Sequence, residues 1–383
     1  MLLNSLTVFV ELEADFVIAV YLRAEIDVEH GAEHGSELGV ELMKNPMKLL
    51  FSLVILSLSY GCFADTEEDK TGLVPTMVAI PETAFVMGRN PEIKGPMDEH
   101  PQHEVSLSAY EIGKYEVTNA QYAAVLNWAQ EQGYLQKSIF KAPDEVSEDV
   151  YHNGRLLKVI NRDSQVILQN GRYVAIMRDG LFMDTHPVVN VTWNGAVAYA
   201  NWLSEIQGLE PCYSLKTYKR KSPVPNGYRL PTEAEWEHAA GWSEAPDESL
   251  WKFTTSSDTL SNAQSNFRSN NPLEEVGMTS FPHTSPIGYF DGAAPNTKDS
   301  PSPFGCYDMS GNVQEWCEDW FGVYSEEAAT DPVGSAFGTM KIVRGGGWNS
   351  VLDTCRTTNR GWTPPTTHLR SFGFRVARSV GSE

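Results

Sequence analysis

The stretch Tyr307-Asp-Met-Ser-Gly-Asn-Val-Gln-Glu-Trp-Cys-Glu-Asp-Trp320, followed by Val343-Arg-Gly-Gly-Gly-Trp-Asn-Ser350, Cys355-Arg-Thr-Thr-Asn-Arg360 and Phe372-Gly-Phe-Arg375, decides the fold. Beyond Ser243 the chain is rich in Gly, Pro, Asn and Ser, so few elements there can be long. Packing must then come from buried tryptophans and from hydrogen bonds in turns. Gly345, Gly346 and Gly347 permit positive φ or close backbone approach, and Trp193, Trp236, Trp316 and Trp348 can each bury a large apolar area. Such residues mark a scaffold more than an activity.

Upstream, the chain shows regular punctuation. Val78-Ala-Ile-Pro81 and Ala84-Phe-Val-Met-Gly88 predict two short strands joined by a turn, a hairpin that opens the domain. His103-Glu-Val-Ser-Leu-Ser-Ala-Tyr110 alternates as a strand does, and Glu116-Val-Thr-Asn119 leads into a helix over residues 120–130 capped by Thr118 or Asn119. Residues 131–186 carry Asn153-Gly154 and Asn170-Gly171 turns between apolar runs, which predicts an inserted set of strands or hairpins. A second helix is expected over residues 193–207 and a third over 232–241, where Pro231-Thr-Glu-Ala-Glu235 has the form of a capping box with Thr232 as cap.

The 383 residues, 41% hydrophobic with ten tryptophans, suffice for one domain of roughly 300 residues with a single core, placed at residues 77–380. A net charge of -21 argues against nucleic acid as a partner, because phosphate backbones demand clustered Lys and Arg. Residues 47–64 read as a secretory signal peptide: Met47-Lys48, an apolar stretch too short for an integral membrane span, then small residues before Asp65. Residues 1–46 then read as an upstream extension of the reading frame, with translation starting at Met43 or Met47, and residues 65–76 as a linker. The expectation is export to the periplasm or the extracellular space, with Cys62 as an alternative lipid anchor. Cys212, Cys306, Cys317 and Cys355 remain, and an even count in an oxidising compartment predicts two disulfides in one of three connectivities.

Taken in order, these signatures, with Pro187-Val-Val-Asn-Val-Thr-Trp193 and Tyr228-Arg-Leu-Pro-Thr-Glu-Ala-Glu-Trp236, resemble the formylglycine-generating enzyme (sulfatase-modifying factor) family. The resemblance covers most of the chain after Met77, leaving out chiefly the insert and residues 243–300. It implies a compact α+β domain, related to C-type lectins and low in regular secondary structure. In the family's oxidases two thiolates hold Cu(I), oxygen is activated, and a substrate cysteine loses hydrogen from its β-carbon on the way to an aldehyde. Cys355 matches one of the two thiols, but the other position, five residues earlier, is Ser350, and Gly347 stands where the oxidases carry a serine. Thiolates suit Cu(I), whereas a neutral hydroxyl is a hard, weak ligand. The family also binds calcium, and Asn262 and Asn312 look like matching positions, oxygen donors in turns suiting that cation. The plainer alternative is that both asparagines brace loops.

The resemblance and the missing thiol together predict an exported domain that keeps the scaffold but not the copper site. It would bind a peptide, glycan or other ligand on a surface around Arg344, Trp348, Arg360, Trp362 and Arg375, residues that combine planar cations with aromatic faces. The opposing expectation for Arg344 and Arg375 is that they hold internal loops. The alternative function is a copper-dependent oxidase in which Cys355 acts on a cysteine of a sulfatase-like protein, within a Cys-x-Pro-x-Arg context. A third, iron-dependent option would need a histidine-bearing helical domain ahead of Met77. His100 and His103 lack a third ligand nearby. Glu233, Glu235 and Glu237 crowd a helix start where carboxylates favour the dipole, and Asp308, Glu315, Glu318 and Asp319 form no recognisable acid–base pair.

Overall fold

Each long helix of the domain starts at a threonine. In the computed structural model, which describes residues 7–12, 16–21, 72–92, 95–136, 149–161, 163–178, 180–242, 252–268 and 283–380, these helices are Asn119–Glu131 (α1), Trp193–Ile206 (α2) and Glu233–Gly241 (α3). The caps are Thr118, Thr192 and Thr232, whose side chains accept the backbone N–H three residues on. Gln121 and Glu235 return the bond to the cap's own N–H, closing capping boxes on α1 and α3.

The chain divides into two units, Met1–Glu68 and Asp69–Glu383. In the first, Thr7–Leu12 (β1) pairs antiparallel with Phe16–Tyr21 (β2). The expected signal at residues 47–64 lies outside the described residues.

In the second unit, Met77–Ile80 (β3) and Thr83–Met87 (β4) do not form the expected hairpin. β3 pairs with Tyr110–Gly113 (β6) and β4 with His103–Leu107 (β5), in different sheets. Pro81 explains the difference. A two-residue hairpin loop needs positive φ at its first central position, and the pyrrolidine ring fixes φ near -65°. The continuous strand expected over residues 103–110 likewise breaks, so that its two halves serve two sheets.

The insert does form hairpins. Val150–His152 (β7) pairs with Arg155–Lys158 (β8), Val166–Gln169 (β9) with Arg172–Ala175 (β10), and Met177–Arg178 (β11) with Leu181–Phe182 (β12). Asn153 and Asn170 take the positive φ that their Asn-Gly turns require. Tyr213–Ser214 (β13) and Lys219–Arg220 (β14) make a further short pair. A four-stranded sheet joins Tyr228–Arg229 (β15) to β3 through β6 and the C-terminal strand Ala377–Ser379. A second joins Gly361–Thr363, Lys341–Arg344, Gln314–Trp320 and Phe372–Gly373 in that order. Ala329–Thr330 adds a parallel edge to β5.

One apolar cluster packs α1 and α2 around Tyr122, Trp202, Trp316 and Phe374. Another sets α3 against β4 and β5 through Trp236, Phe85 and Leu107. Between the short strands, Arg229, Arg344, Arg356, Arg360 and Arg375 are buried. Each meets a carboxylate: Arg229 reaches Glu235, Arg344 reaches Glu233 and Glu237, Arg356 reaches Glu99, Arg360 reaches Glu233 and Arg375 reaches Glu315. Several of their other N–H groups go to loop carbonyls or hydroxyls, while the buried Nε of Arg229 and of Arg344 has no partner among the described residues. Arg375, for instance, grips Glu315 through two bonds of 2.6 and 2.7 Å and also donates to Gly113 and Tyr307 carbonyls at 2.8 Å each. Removing one partner of such a pair leaves the other charged and dry, so Arg375→Met is expected to lower unfolding free energy by about 3–5 kcal/mol. Urea denaturation measures it, and a loss below about 1 kcal/mol would show that Arg375 is not a principal tie.

Candidate functional site

The turn after Lys341–Arg344 brings together most of the positions that the sequence singles out. Gly345 and Gly346 have φ of +88° and +69°. A Cβ on Gly346 would lie 2.7 Å from the Cys355 sulfur, so the backbone passes directly over the thiol. The turn then closes on itself, with the Ser350 N–H donating to the Gly347 carbonyl at 2.8 Å and the Gly347 N–H donating to the Ser350 hydroxyl at 3.0 Å. A 3-10 turn, Leu352–Cys355, delivers Cys355 beneath it.

Cys355 is completely buried with Phe253 and Phe267, and the Ser310 hydroxyl holds its carbonyl at 2.8 Å. Burial pushes the thiol up to about 12, and only a hydrogen bond with Thr354 pulls the other way. A thiol so placed is a poor nucleophile, because that role needs the thiolate. The residues present do not fit a two-thiolate Cu(I) site. Cys212 belongs to the α1–α2 cluster, Cys306 and Cys317 belong to the α3 cluster, and the Ser350 hydroxyl already closes its turn.

The four cysteines are all free and buried, which corrects the expectation of two disulfides. Cys212, for example, donates to the Gly227 carbonyl at 3.2 Å. An even count says nothing of distance, and here each cysteine behaves as a small core side chain.

Asn312 sits at positive φ and ties several loops to the turn. Its side-chain oxygen accepts the Ser285 N–H at 2.9 Å, its amide donates to Glu116 at 2.8 Å, and its carbonyl accepts the Trp348 N–H at 2.8 Å. Asn262 is buried and donates to the Phe267 carbonyl at 3.3 Å. Both side chains brace loops, and the Asn312 oxygen is already taken. Among the described residues there is no group of three or more His, Cys, Asp or Glu able to hold a metal ion.

The sequence missed Glu116, which comes close to Asp308 and Glu315. Burial, and then the neighbouring Asp308 and Glu315 charges, raise the Glu116 carboxyl well above its ordinary range. Burial lifts Asp308 to about 6, opposed by the Gly288 N–H at 2.6 Å and by Arg375. Nothing in the local sequence could signal a contact between residues nearly 200 positions apart.

The five residues of the expected ligand surface divide between interior and surface, and Arg360, though paired inside, also lines a cleft. Arg344, Arg360 and Arg375 are buried in the ion pairs described above, as internal ties. Trp362 is exposed, with its ring 5.2 Å from Phe321. Trp348 is partly exposed and gathers polar neighbours that the sequence did not indicate. The His283 ring stacks on it at 4.2 Å, the Arg370 guanidinium lies 5.0 Å from its centroid, and its indole N–H donates to the Arg370 carbonyl at 3.1 Å. Two clefts of about 700 and 390 Å3 lie elsewhere, the first lined by Arg220, Lys221 and Asp331, the second by Glu233, Asp319 and Tyr324.

The sulfatase-modifying factor enzyme 1-like domain family matches residues 62–380. The chain belongs to that family. A formylglycine-generating enzyme from Streptomyces coelicolor is 30% identical over 325 residues, which cover 79% of this chain and 89% of that enzyme. Serine/threonine-protein kinase pkn1 from Chlamydia pneumoniae is 30% identical over 322 residues, 83% of this chain. This chain spans only 40% of that relative's length. Among solved structures, Treponema denticola variable protein 1 aligns at a TM-score of 0.50 with 25% identity, covering 80% of this chain and 95% of its own. The family's α+β fold, expected from the sequence, is the fold observed.

Two outcomes follow from the site. Alkylation of the unreduced protein, followed by peptide mass mapping, should find Cys355 unmodified at pH 8 in the native state. In denaturant without reductant all four of Cys212, Cys306, Cys317 and Cys355 should be modified, and a bridged peptide would refute the assignment. The second concerns Glu99, which anchors Arg356 beside the thiol through bonds of 2.6 and 2.7 Å and accepts the Thr358 hydroxyl at 2.7 Å. Burial raises its carboxyl, but the bonds from Arg356, Thr358 and Arg89 outweigh it and hold the group at about 2. The lowered value means that its stabilisation is present above the unfolded value of 4.5 and is lost as pH falls toward 2. Urea melts of Glu99→Gln should thus trail the parent by about 3 kcal/mol at pH 6 and by progressively less at pH 3, whereas a pH-independent gap would contradict the linkage.

Proposed function

We propose that this chain is an exported, ligand-binding member of its family, one that has kept the scaffold without the two-thiolate copper site and takes a peptide or glycan on the face around Trp348. One observation carries the reading: Cys355 is sealed beneath Gly346 with its thiol held neutral, while Trp348, in the same turn region, remains open to solvent. An oxidase needs the reverse, an accessible thiolate with a second soft donor. A partly exposed indole with a neighbouring cation supplies the rigid aromatic anchor common at binding sites. The kinase name belongs to the longer chlamydial relatives, whose greater part this chain does not match. The competing reading, copper-dependent formylglycine formation, is favoured by the similarity to the Streptomyces enzyme.

The deciding assay loads reduced protein with Cu(I) and incubates it with a peptide containing Cys-x-Pro-x-Arg under oxygen, with mass spectrometry to detect an aldehyde. None is expected. In parallel, peptide and glycan arrays should yield a ligand whose affinity falls about tenfold or more in Trp348→Ala. Aldehyde that vanishes in Cys355→Ser would overturn the proposal in favour of the oxidase.

A further inference from the structure

The turn at residues 347–350 is held from two sides by arginine backbones. The Arg268 N–H donates to the Ser350 carbonyl at 2.9 Å, and the Trp348 indole donates to the Arg370 carbonyl at 3.1 Å. Both side chains are exposed, and among the described residues neither has a carboxylate partner, in contrast to the five buried arginines. In a chain with 50 acidic and 29 basic residues, the Arg370 guanidinium 5.0 Å from the Trp348 ring centroid and the exposed Arg268, whose backbone holds the same turn, add positive charge to a predominantly acidic protein. The rim is apolar, with Val351, Leu352 and Leu369 each more than two-fifths exposed.

We infer that this face binds an acidic peptide, whose carboxylates engage Arg268 and Arg370 while an apolar side chain settles on Trp348 and its rim. Guanidinium groups accept carboxylates bidentately, which fixes orientation as well as attraction. The surplus of negative charge over the rest of the chain rejects longer polyanions such as nucleic acid and leaves a short acidic segment as the fitting partner. The inference rests on the ligand-binding reading above.

Fluorescence anisotropy of the full chain would compare three short labelled peptides that share one phenylalanine and differ in carrying Asp and Glu, Gln, or Lys, with a labelled oligonucleotide as a fourth probe. The acidic peptide should bind about tenfold or more tightly than the others, weaken as salt rises, and lose about tenfold in Arg268→Glu and in Arg370→Glu. Circular dichroism and thermal melts would verify that these surface variants remain folded. Equal binding of the three peptides, tighter binding of the oligonucleotide, or affinity unchanged by charge reversal would overturn the inference. If the neutral peptide binds as well as the acidic one and only Trp348→Ala abolishes binding, the acidic specificity fails while the ligand-binding reading stands. If no peptide binds and the copper assay yields aldehyde, the underlying reading fails.

Discussion

Buried guanidinium–carboxylate forks are the constraint on which this structure depends. A domain with so little regular secondary structure leaves many loop carbonyls without ladder partners, and each must still be satisfied once buried. Arginine is suited to that task, because one planar group carries five donors and remains charged inside the protein. Arg360 pairs with Glu233 through two bonds of 2.7 Å and also donates to the Asp98 and Gly322 carbonyls at 2.8 and 3.0 Å, joining segments far apart in sequence. Arg344 does the same for the stretch after Cys355, reaching the Thr357 carbonyl at 2.8 Å while pairing with two carboxylates of α3. These ties tolerate single changes poorly, since each change removes a charge whose partner stays buried.

The same forks set the character of the site. Arg356, one residue beyond Cys355, is committed to Glu99 and Asp353, and Arg344 is committed to Glu233 and Glu237. Desolvation governs the thiol, opposed only by its hydrogen bond with Thr354. Gly346 completes the enclosure by allowing the backbone to cross the sulfur at a distance no Cβ would tolerate. Trp348 stays partly exposed in the same turn, and Arg268 and Arg370, whose backbones bond to it, are exposed.

Features that rest on short-range chemistry could be read from the sequence. Thr232 and Glu235 specify their helix start by reciprocal hydrogen bonds within one turn, and the Asn-Gly pairs specify hairpins because few other residues accept the required φ. The Pro81 break was equally local and could have been read from the ring's fixed φ, but the strand pattern masked it. Long-range pairings were not legible. Arg344, Arg360 and Arg375 have the composition of a binding surface, and only their distance to Glu233, Glu237 and Glu315 in space turns them inward. Glu116 gave no local sign that it would meet Asp308 and Glu315, and the parity of the cysteine count could not say which core each sulfur would enter.

The serine at 350 fits this arrangement in a way a second thiolate would not. A thiolate there would add negative charge to the turn that passes over buried Cys355, a change that desolvation opposes unless a cation is bound. A hydroxyl carries no charge, accepts the Gly347 N–H at 3.0 Å and closes the turn from within. The turn that presents Trp348 is thus closed by its own hydroxyl and backbone groups. The indole N–H of Trp348 bonded to the Arg370 carbonyl and its backbone N–H bonded to the Asn312 carbonyl fix the ring from both ends, so the exposed part of the side chain is held in one orientation by the same loops that the buried forks tie together.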